Sequence, residues 1–309
     1  MSHIASVSLA QSPAEIAGPL GRSFAEFGFA IVSDHTIPAE LIARAEEKTR
    51  AFFALPDDVK RAYHLSGGGG ARGYTPFGTE KAKDAEVHDL KEFWHVGRKL
   101  PEGHPYAAVM APNVWPEEVT GFRETMEELY AAFEATGAKI LSAIALHLDL
   151  PADYFADTVK DGNSVMRLLH YPPLEGEHAE GAVRAAAHGD INTITLLLGA
   201  EEAGLELLSR KGEWLPVTPP EGALAVNIGD MLDRLTAGYL RSTTHRVVNP
   251  AGPAAHRSRY SMPFFLHFRP DFLIEPLEQC VAKSDADSVQ DPITAQDFLM
   301  QRLREINLA

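Results

Sequence analysis

Cysteine is almost missing from this chain of 309 residues: Cys280 stands alone, which rules out an intramolecular disulfide and a cysteine-built zinc cluster. A reducing, cytoplasmic setting is the expectation that follows. Long apolar runs are missing too. None approaches the roughly 18–20 consecutive residues that a membrane span requires, so no membrane partner is expected. The first seven residues, Met1 to Val7, contain no basic stretch leading into an apolar core, and a secretory leader is therefore not expected either. Positive charge is scarce, with 28 Lys and Arg against 43 Asp and Glu, for a net charge of -15. So acidic a chain repels phosphate backbones at long range, which argues against nucleic acid while leaving room for a local basic site that grips a small carboxylate. No internal repeat, serine-hydrolase elbow or His-Glu-x-x-His helix is present. Nothing in the sequence speaks to oligomeric state.

What is there suffices for a large core: 45% of the residues are hydrophobic. Ser12-Pro13 opens a first helix over residues 13–27, followed by a short apolar strand from Phe29 to Val32. Pro38 starts a second helix that ends near Leu55-Pro56. The strongest helical pattern begins at Asn113-Val114-Trp115-Pro116. Asn113 is placed to cap it, Pro116 suits its first turn, and Glu117 and Glu118 complement the dipole. Phe122, Met126, Tyr130, Phe133, Ile140, Ile144 and Leu148 then continue one apolar face for about nine turns. From about residue 164 the texture changes to short apolar or alternating runs punctuated by Gly and Pro: 165–171, 191–198, 205–208, 214–217, 223–228, 243–248 and 260–268. Strands at this spacing imply a β-sandwich, jelly roll or barrel. A closing helix is expected over residues 294–307.

The chemistry gathers around His188-Gly189-Asp190. Two residues apart on a strand, the imidazole and the carboxylate project from one face and suit a hard or borderline divalent ion. Taken alone, such a triplet among 13 histidines fits a surface turn as well. His245, inside Thr243-Thr244-His245-Arg246-Val247-Val248, can complete a three-ligand face if its strand lies opposite the first, or it can be a half-buried strand histidine. Two histidines and a carboxylate leave three coordination positions open, the arrangement of Fe(II) oxygenases, whereas zinc hydrolases favour other sets. Fourteen residues beyond His245 comes Arg259-Tyr260-Ser261, with Arg259 and Ser261 on one face. A planar guanidinium inside a β barrel calls for an anion, and a dicarboxylate co-substrate supplies one.

In order and spacing, His188, Asp190, His245, Arg259 and Ser261 resemble the isopenicillin N synthase-like family of 2-oxoglutarate/Fe(II)-dependent oxygenases. The segments from Phe24 to His35 and Phe52 to Pro56, with Arg72-Gly73-Tyr74 and Asp89-Leu90-Lys91-Glu92-Phe93-Trp94, are similar to landmarks of the same family's N-terminal half. The resemblance implies a mixed α/β fold, mainly β at its core. A double-stranded β-helix (jelly roll) core over residues 156–275 would follow a helix-rich region over 1–155 and precede a C-terminal helical segment over 276–309. It implies Fe(II) held by His188, Asp190 and His245, with 2-oxoglutarate on Arg259 and Ser261. Tyr171, in Arg167-Leu168-Leu169-His170-Tyr171-Pro172, matches a tyrosine that often contacts 2-oxoglutarate. Many plant members carry asparagine where this chain has Leu169, so co-substrate geometry around that strand does not carry over. The implied activity is a dioxygenase that hydroxylates a small organic substrate with O2, releasing succinate and CO2. An oxidase that dispenses with 2-oxoglutarate and a non-catalytic metal-binding relative are the alternatives.

Other signals point elsewhere. Gly68-Gly69-Gly70-Ala71-Arg72-Gly73 satisfies G-x-G-x-x-G, but a helical stretch precedes it and Tyr74-Thr75-Pro76 follows, so a flexible loop at the mouth of the site is expected in place of a nucleotide turn. His35, His95 and His267 sit in apolar surroundings and read as hydrogen-bonded core residues. His170 should point away from Tyr171, and Arg167 fits either a pocket wall or a surface ion pair. Gly229-Asp230-Met231-Leu232 reads as a structural turn after a strand.

Overall fold

The computed structural model describes residues 3–65, 71–80, 88–174, 183–200, 204–284 and 288–305. The glycine loop expected at the site mouth falls mostly on residues 66–70, outside the described residues.

Fourteen strands are described. In chain order they are β1 (Ser6–Ser8), β2 (Phe29–Ser33), β3 (Gly73–Thr75), β4 (Glu92–Gly97), β5 (Val165–Tyr171), β6 (Ala185–His188) and β7 (Ile194–Leu198). They continue with β8 (Leu205–Leu208), β9 (Trp214–Pro216), β10 (Leu224–Ile228), β11 (His245–Val247), β12 (Arg259–Leu266), β13 (Leu273–Ile274) and β14 (Ile293–Thr294). The helices are α1 (Pro13–Phe27), α2 (Ala39–Phe53), α3 (Asp57–Arg61), α4 (Phe122–His147), α5 (Ala156–Val159), α6 (Asp230–Leu235), α7 (Glu278–Val281) and α8 (Ala295–Glu305).

An eight-stranded sheet, in the order β1-β2-β10-β7-β12-β5-β4-β3, faces a four-stranded sheet, β6-β11-β8-β9. Together they make the jelly roll. Residue alternation divides the large sheet between two environments. Ile194, Leu196 and Leu198 of β7, Leu224, Val226 and Ile228 of β10, and Met262, Phe264 and Leu266 of β12 point outward. There they form one core with the buried faces of α1, α2 and α4. The intervening residues point inward, where Phe29 and Ala225 meet Ala185, Leu205 and Val247 of the small sheet. The inner face thereby becomes the wall of a cavity, and the outer face is the helix-packed floor that keeps it rigid.

Phe264 sits at the centre of that floor, fully buried, stacked on Phe133 with ring centroids 5.2 Å apart and edge-on to Tyr130 at 5.0 Å. Truncating it leaves a void that two helical side chains and a sheet cannot close. Phe264→Ala is expected to cost about 3–5 kcal/mol of unfolding free energy, measured by urea denaturation.

Two features differ from the sequence expectation. The long helix starts at Phe122 instead of near Asn113. Gly121, at φ 76°, breaks the approach, and the Asn113 side chain is used elsewhere: it accepts from the Gly97 N–H at 2.7 Å and donates to the Gly97 carbonyl at 2.8 Å, closing the end of β4. Glu118 accepts from the Tyr63 hydroxyl instead of facing a helix dipole. The N-terminal region is also not helical packing alone, because β1, β2, β3 and β4 all belong to the large sheet. Helix α4 has the length and apolar composition to cross a membrane. Here its buried face, which includes Phe122, Met126, Phe133 and Ile140, packs in the main core.

Candidate active site

Strands β6 and β11 pair antiparallel with His188 directly opposite His245. Asp190 lies in the turn just past β6. Donor atoms of the three side chains fall within 4.8 Å of one another, and among the described residues no other such trio converges. The two imidazoles, with ring centroids 4.5 Å apart, flank the carboxylate: His188 Nε2 is 3.9 Å from Asp190 Oδ1, and His245 Nε2 is 3.8 Å from Oδ2.

Each ligand atom is aimed by a partner on its far side. His188 Nδ1 donates to the Ala186 carbonyl at 2.7 Å, and His245 Nδ1 donates to the Thr243 carbonyl at 3.0 Å. A carbonyl only accepts, so both protons reside on Nδ1 and both Nε2 lone pairs face the carboxylate. Asp190 Oδ2 accepts from Thr195 Oγ1 at 2.5 Å and from Asn227 Nδ2 at 2.8 Å, and Asn192 in turn donates to the threonine hydroxyl at 2.9 Å. Desolvation inside the cavity, onto which the ring opens, lowers the His188 pKa to about 4, helped by the neighbouring His245, which keeps the ring neutral and able to ligate. Burial would raise the Asp190 pKa, but the two imidazoles and the hydrogen bonds from Asn227 and Thr195 outweigh it and hold the carboxyl below its ordinary value. Two neutral imidazole nitrogens and an ionised carboxylate, all on one side of a point, are a donor set that fits Fe(II).

The same cavity is lined by Arg259, Ser261 and Tyr171. Arg259 opens β12 and pairs in register with Tyr171 at the end of β5, while Ser261 pairs with Leu169. The Arg259 guanidinium carbon lies 5.7 Å from the Tyr171 ring centroid, and all three residues are buried. The six residues singled out from the sequence thus meet in one cavity. Arg167 joins them on its wall, resolving the two readings of that residue in favour of the pocket.

Three other histidines among the described residues make structural contacts. His170 turns to the opposite face of β5, where it bonds Glu92 at 2.7 Å and Ser258 at 3.0 Å and stacks on Tyr260. His267 bonds the Phe265 carbonyl, and His35, which is half-buried and not in the core, bonds the carbonyl of Gly222. Gly229 precedes α6, so the turn after β10 has the structural role expected of it. Sequence reasoning passed over Asn227, Thr195 and Lys91. Asn227 did leave a signal, as the sole polar residue in the strand Leu224-Ala225-Val226-Asn227-Ile228. Removing its amide frees one Asp190 oxygen to rotate. Asn227→Ala is expected to weaken metal binding about 10–100-fold, read by titrating the apoprotein with Co(II).

Residues 3–118 match the family model for the non-haem dioxygenase in morphine synthesis N-terminal region, and residues 162–268 match the 2OG-Fe(II) oxygenase superfamily. The chain belongs to the 2-oxoglutarate/Fe(II) oxygenases. This oxygenase is 35% identical over 281 residues to the 2-oxoglutarate-Fe(II) type oxidoreductase hxnY of Emericella nidulans, covering 88% of this chain and 79% of the relative. It is 33% identical over 297 residues to the proline hydroxylase buaE of Petromyces alliaceus, covering 92% and 91%. Among solved structures, a 2OG-Fe(II) oxygenase family protein from Caulobacter crescentus superposes with a TM-score of 0.90 at 51% identity, over 99% of this chain and 100% of that one. A full-length Neurospora crassa protein crystallised in complex with alpha-KG superposes at 0.86 with 29% identity, over 97% and 96%. The protein is an Fe(II)- and 2-oxoglutarate-dependent dioxygenase acting on a small molecule with O2.

Proposed function

We propose that His188, Asp190 and His245 hold the Fe(II), that Arg259, Ser261 and Tyr171 hold 2-oxoglutarate, and that the enzyme hydroxylates a small organic substrate in the cavity they share. One observation carries this reading: a pre-aimed N,N,O donor set and a buried guanidinium–hydroxyl pair line the same cavity. Bound Fe(II) would supply the coupling of 2-oxoglutarate decarboxylation, to succinate and CO2, with oxidation of a substrate C–H bond by O2.

The chain's own residues position and shield. Arg259 offers a fork matched to the far carboxylate of 2-oxoglutarate, and Ser261, two residues along the same face, adds a hydroxyl donor. Hydrogen bonds to Ala186 and Thr243 keep both imidazoles in one tautomer, so no proton has to move for them to ligate. Leu169, Pro263 and Phe265 present apolar surface to the cavity, which excludes water from the reacting centre. The single cysteine, buried at Cys280, supports a cytoplasmic location, and the acidic surface charge supports a free small molecule as substrate in place of nucleic acid or membrane. Anaerobic reconstitution with Fe(II) and 2-oxoglutarate, followed by O2 and a metabolite screen, tests the reading. Succinate is expected to form in step with oxidised product. O2 uptake with product but no succinate would convert the assignment to an oxidase that leaves 2-oxoglutarate aside.

A further inference from the structure

Basic side chains gather at the cavity of an acidic chain. The chain has a net charge of -15, yet among the described residues the cavity wall carries Lys91, Arg167 and Arg259 beside Asp190, with Glu80 and Asp89 paired to the first two. Arg259 answers the co-substrate in the reading above. Lys91 and Arg167 have no part in that reading.

Strand register puts these two cations on one wall. Glu92 of β4 pairs with His170 of β5 and His95 pairs with Arg167, so Lys91 stands level with Tyr171, and residues 91, 93 and 95 share the inner face with 167, 169 and 171. Phe93 and Leu169 form an apolar step between the two cations. The Glu80 carboxylate spans that step: Oε2 lies 2.6 Å from Lys91 Nζ, and Arg167 donates to it through Nη1 at 3.2 Å and to Oε1 through Nη2 at 3.1 Å. The guanidinium is fixed from behind. Its Nε donates to His95 Nε2 at 2.6 Å, and its carbon lies 4.1 Å from the Phe93 ring and 5.4 Å from the Phe265 ring. Lys91 is likewise anchored by Asp89 at 2.7 Å. Arg167 belongs to β5 and Lys91 directly precedes β4, whereas Glu80 lies farther back in the segment between β3 and β4. Burial opposes ionisation of Glu80, but Arg167 and then Lys91 outweigh it and hold the carboxyl far below the usual carboxylate range. A half-buried fork and a buried ammonium converging on one planar oxyanion define the ligand such a cradle takes.

We propose that Lys91 and Arg167 form the subsite for a carboxylate of the primary substrate, and that Glu80 occupies this place until the substrate displaces it. The apolar surface of Leu169, Pro263 and Phe265 beside the cradle then selects a small carboxylic acid with an apolar body. The proposal rests on the Fe(II)/2-oxoglutarate reading and deepens it by naming the substrate class.

The test uses the full chain loaded with Co(II) and saturating 2-oxoglutarate, with three probes that share one apolar body titrated by calorimetry: phenylacetate, its isostere phenylacetamide, and 2-phenylethylamine. Phenylacetate is expected to bind at least about tenfold more tightly than the amide, and the amine not at all. Glu80→Gln removes the internal competitor and should tighten phenylacetate at least about fivefold. The charge-balanced double variant Glu80→Gln/Arg167→Gln should loosen it at least about tenfold relative to Glu80→Gln. Arg167→Lys, which keeps the charge but loses the fork, checks the same point should the double variant unfold. Equal binding of the three probes, no binding of any, a preference for the amine, or an unchanged affinity in Glu80→Gln each overturns the proposal. Co(II)-dependent binding of 2-oxoglutarate, measured first, separates the two readings: its loss defeats the parent assignment, while its presence without a carboxylate preference defeats only this one.

Discussion

Replacing His188 with alanine should abolish Fe(II) binding and turnover together while leaving the fold in place. The side chain closes one corner of the N,N,O set, and Asp190 and His245 alone cannot define a metal-binding face. It also faces the cavity, with 38% of its side chain exposed, so truncation enlarges an existing opening and creates no sealed void. The thermal transition should therefore stay close to that of the wild type, with a stability change within roughly 1 kcal/mol. Co(II) affinity should fall by at least two powers of ten, beyond the 10–100-fold range that disturbing an outer partner such as Asn227 produces. Calorimetric titration of the apoprotein and a succinate assay read the two effects independently. Full turnover by His188→Ala would remove the residue from the metal centre, and a collapse of the thermal transition would assign it a structural role.

The trio could be found in the sequence because its members are close in sequence or in register. The expected strand alternation does not bring His188 and Asp190 together, since β6 ends at His188 and Asp190 lies in the turn beyond it; His245 needs only an opposing strand, which the β6–β11 register supplies. The helices α1 and α2 announced themselves through proline at or just before the first turn and an apolar period of 3.6. The start of α4 did not, because an asparagine followed by proline and two glutamates reads as a cap until the backbone of Gly97 is seen to claim the Asn113 side chain. Strand β4 was hidden for another reason. All six of its residues, Glu92 and His95 among them, are buried, so no alternation of polar and apolar residues marks it. Strand β6 begins with three alanines, which carry little strand preference. The Lys91–Glu80–Arg167 cluster was out of reach altogether. Glu80 and Arg167 are 87 residues apart, and only the pairing of β4 with β5 turns two separate cations into one wall.

Arg259 sets the second large effect, because its charge, shape and burial all suit one carboxylate in the proposed site. Only 2% of the residue is exposed, and Arg259 is paired in register with Tyr171 of β5, which holds the guanidinium away from solvent. Arg259→Met keeps an unbranched apolar stem but leaves the far carboxylate of 2-oxoglutarate to Ser261 and Tyr171 alone. Breaking one side of a buried, hydrogen-bonded charge pair costs about 2–5 kcal/mol, so the 2-oxoglutarate requirement should rise by roughly one and a half to three and a half powers of ten. The rise should appear in KM for 2-oxoglutarate and in its Kd in the presence of Co(II), with affinity for Co(II) itself unaffected. Arg259→Lys should recover only part of the loss, since an ammonium supplies charge without the two-pronged geometry. An unchanged requirement in Arg259→Met would take the residue out of the co-substrate site. The variant also separates the two ends of the cavity. With 2-oxoglutarate raised to saturation, phenylacetate should still distinguish Glu80→Gln from its double variant, because the cradle of Lys91 and Arg167 is built on the pairing of β4 with β5 and owes nothing to the first residue of β12.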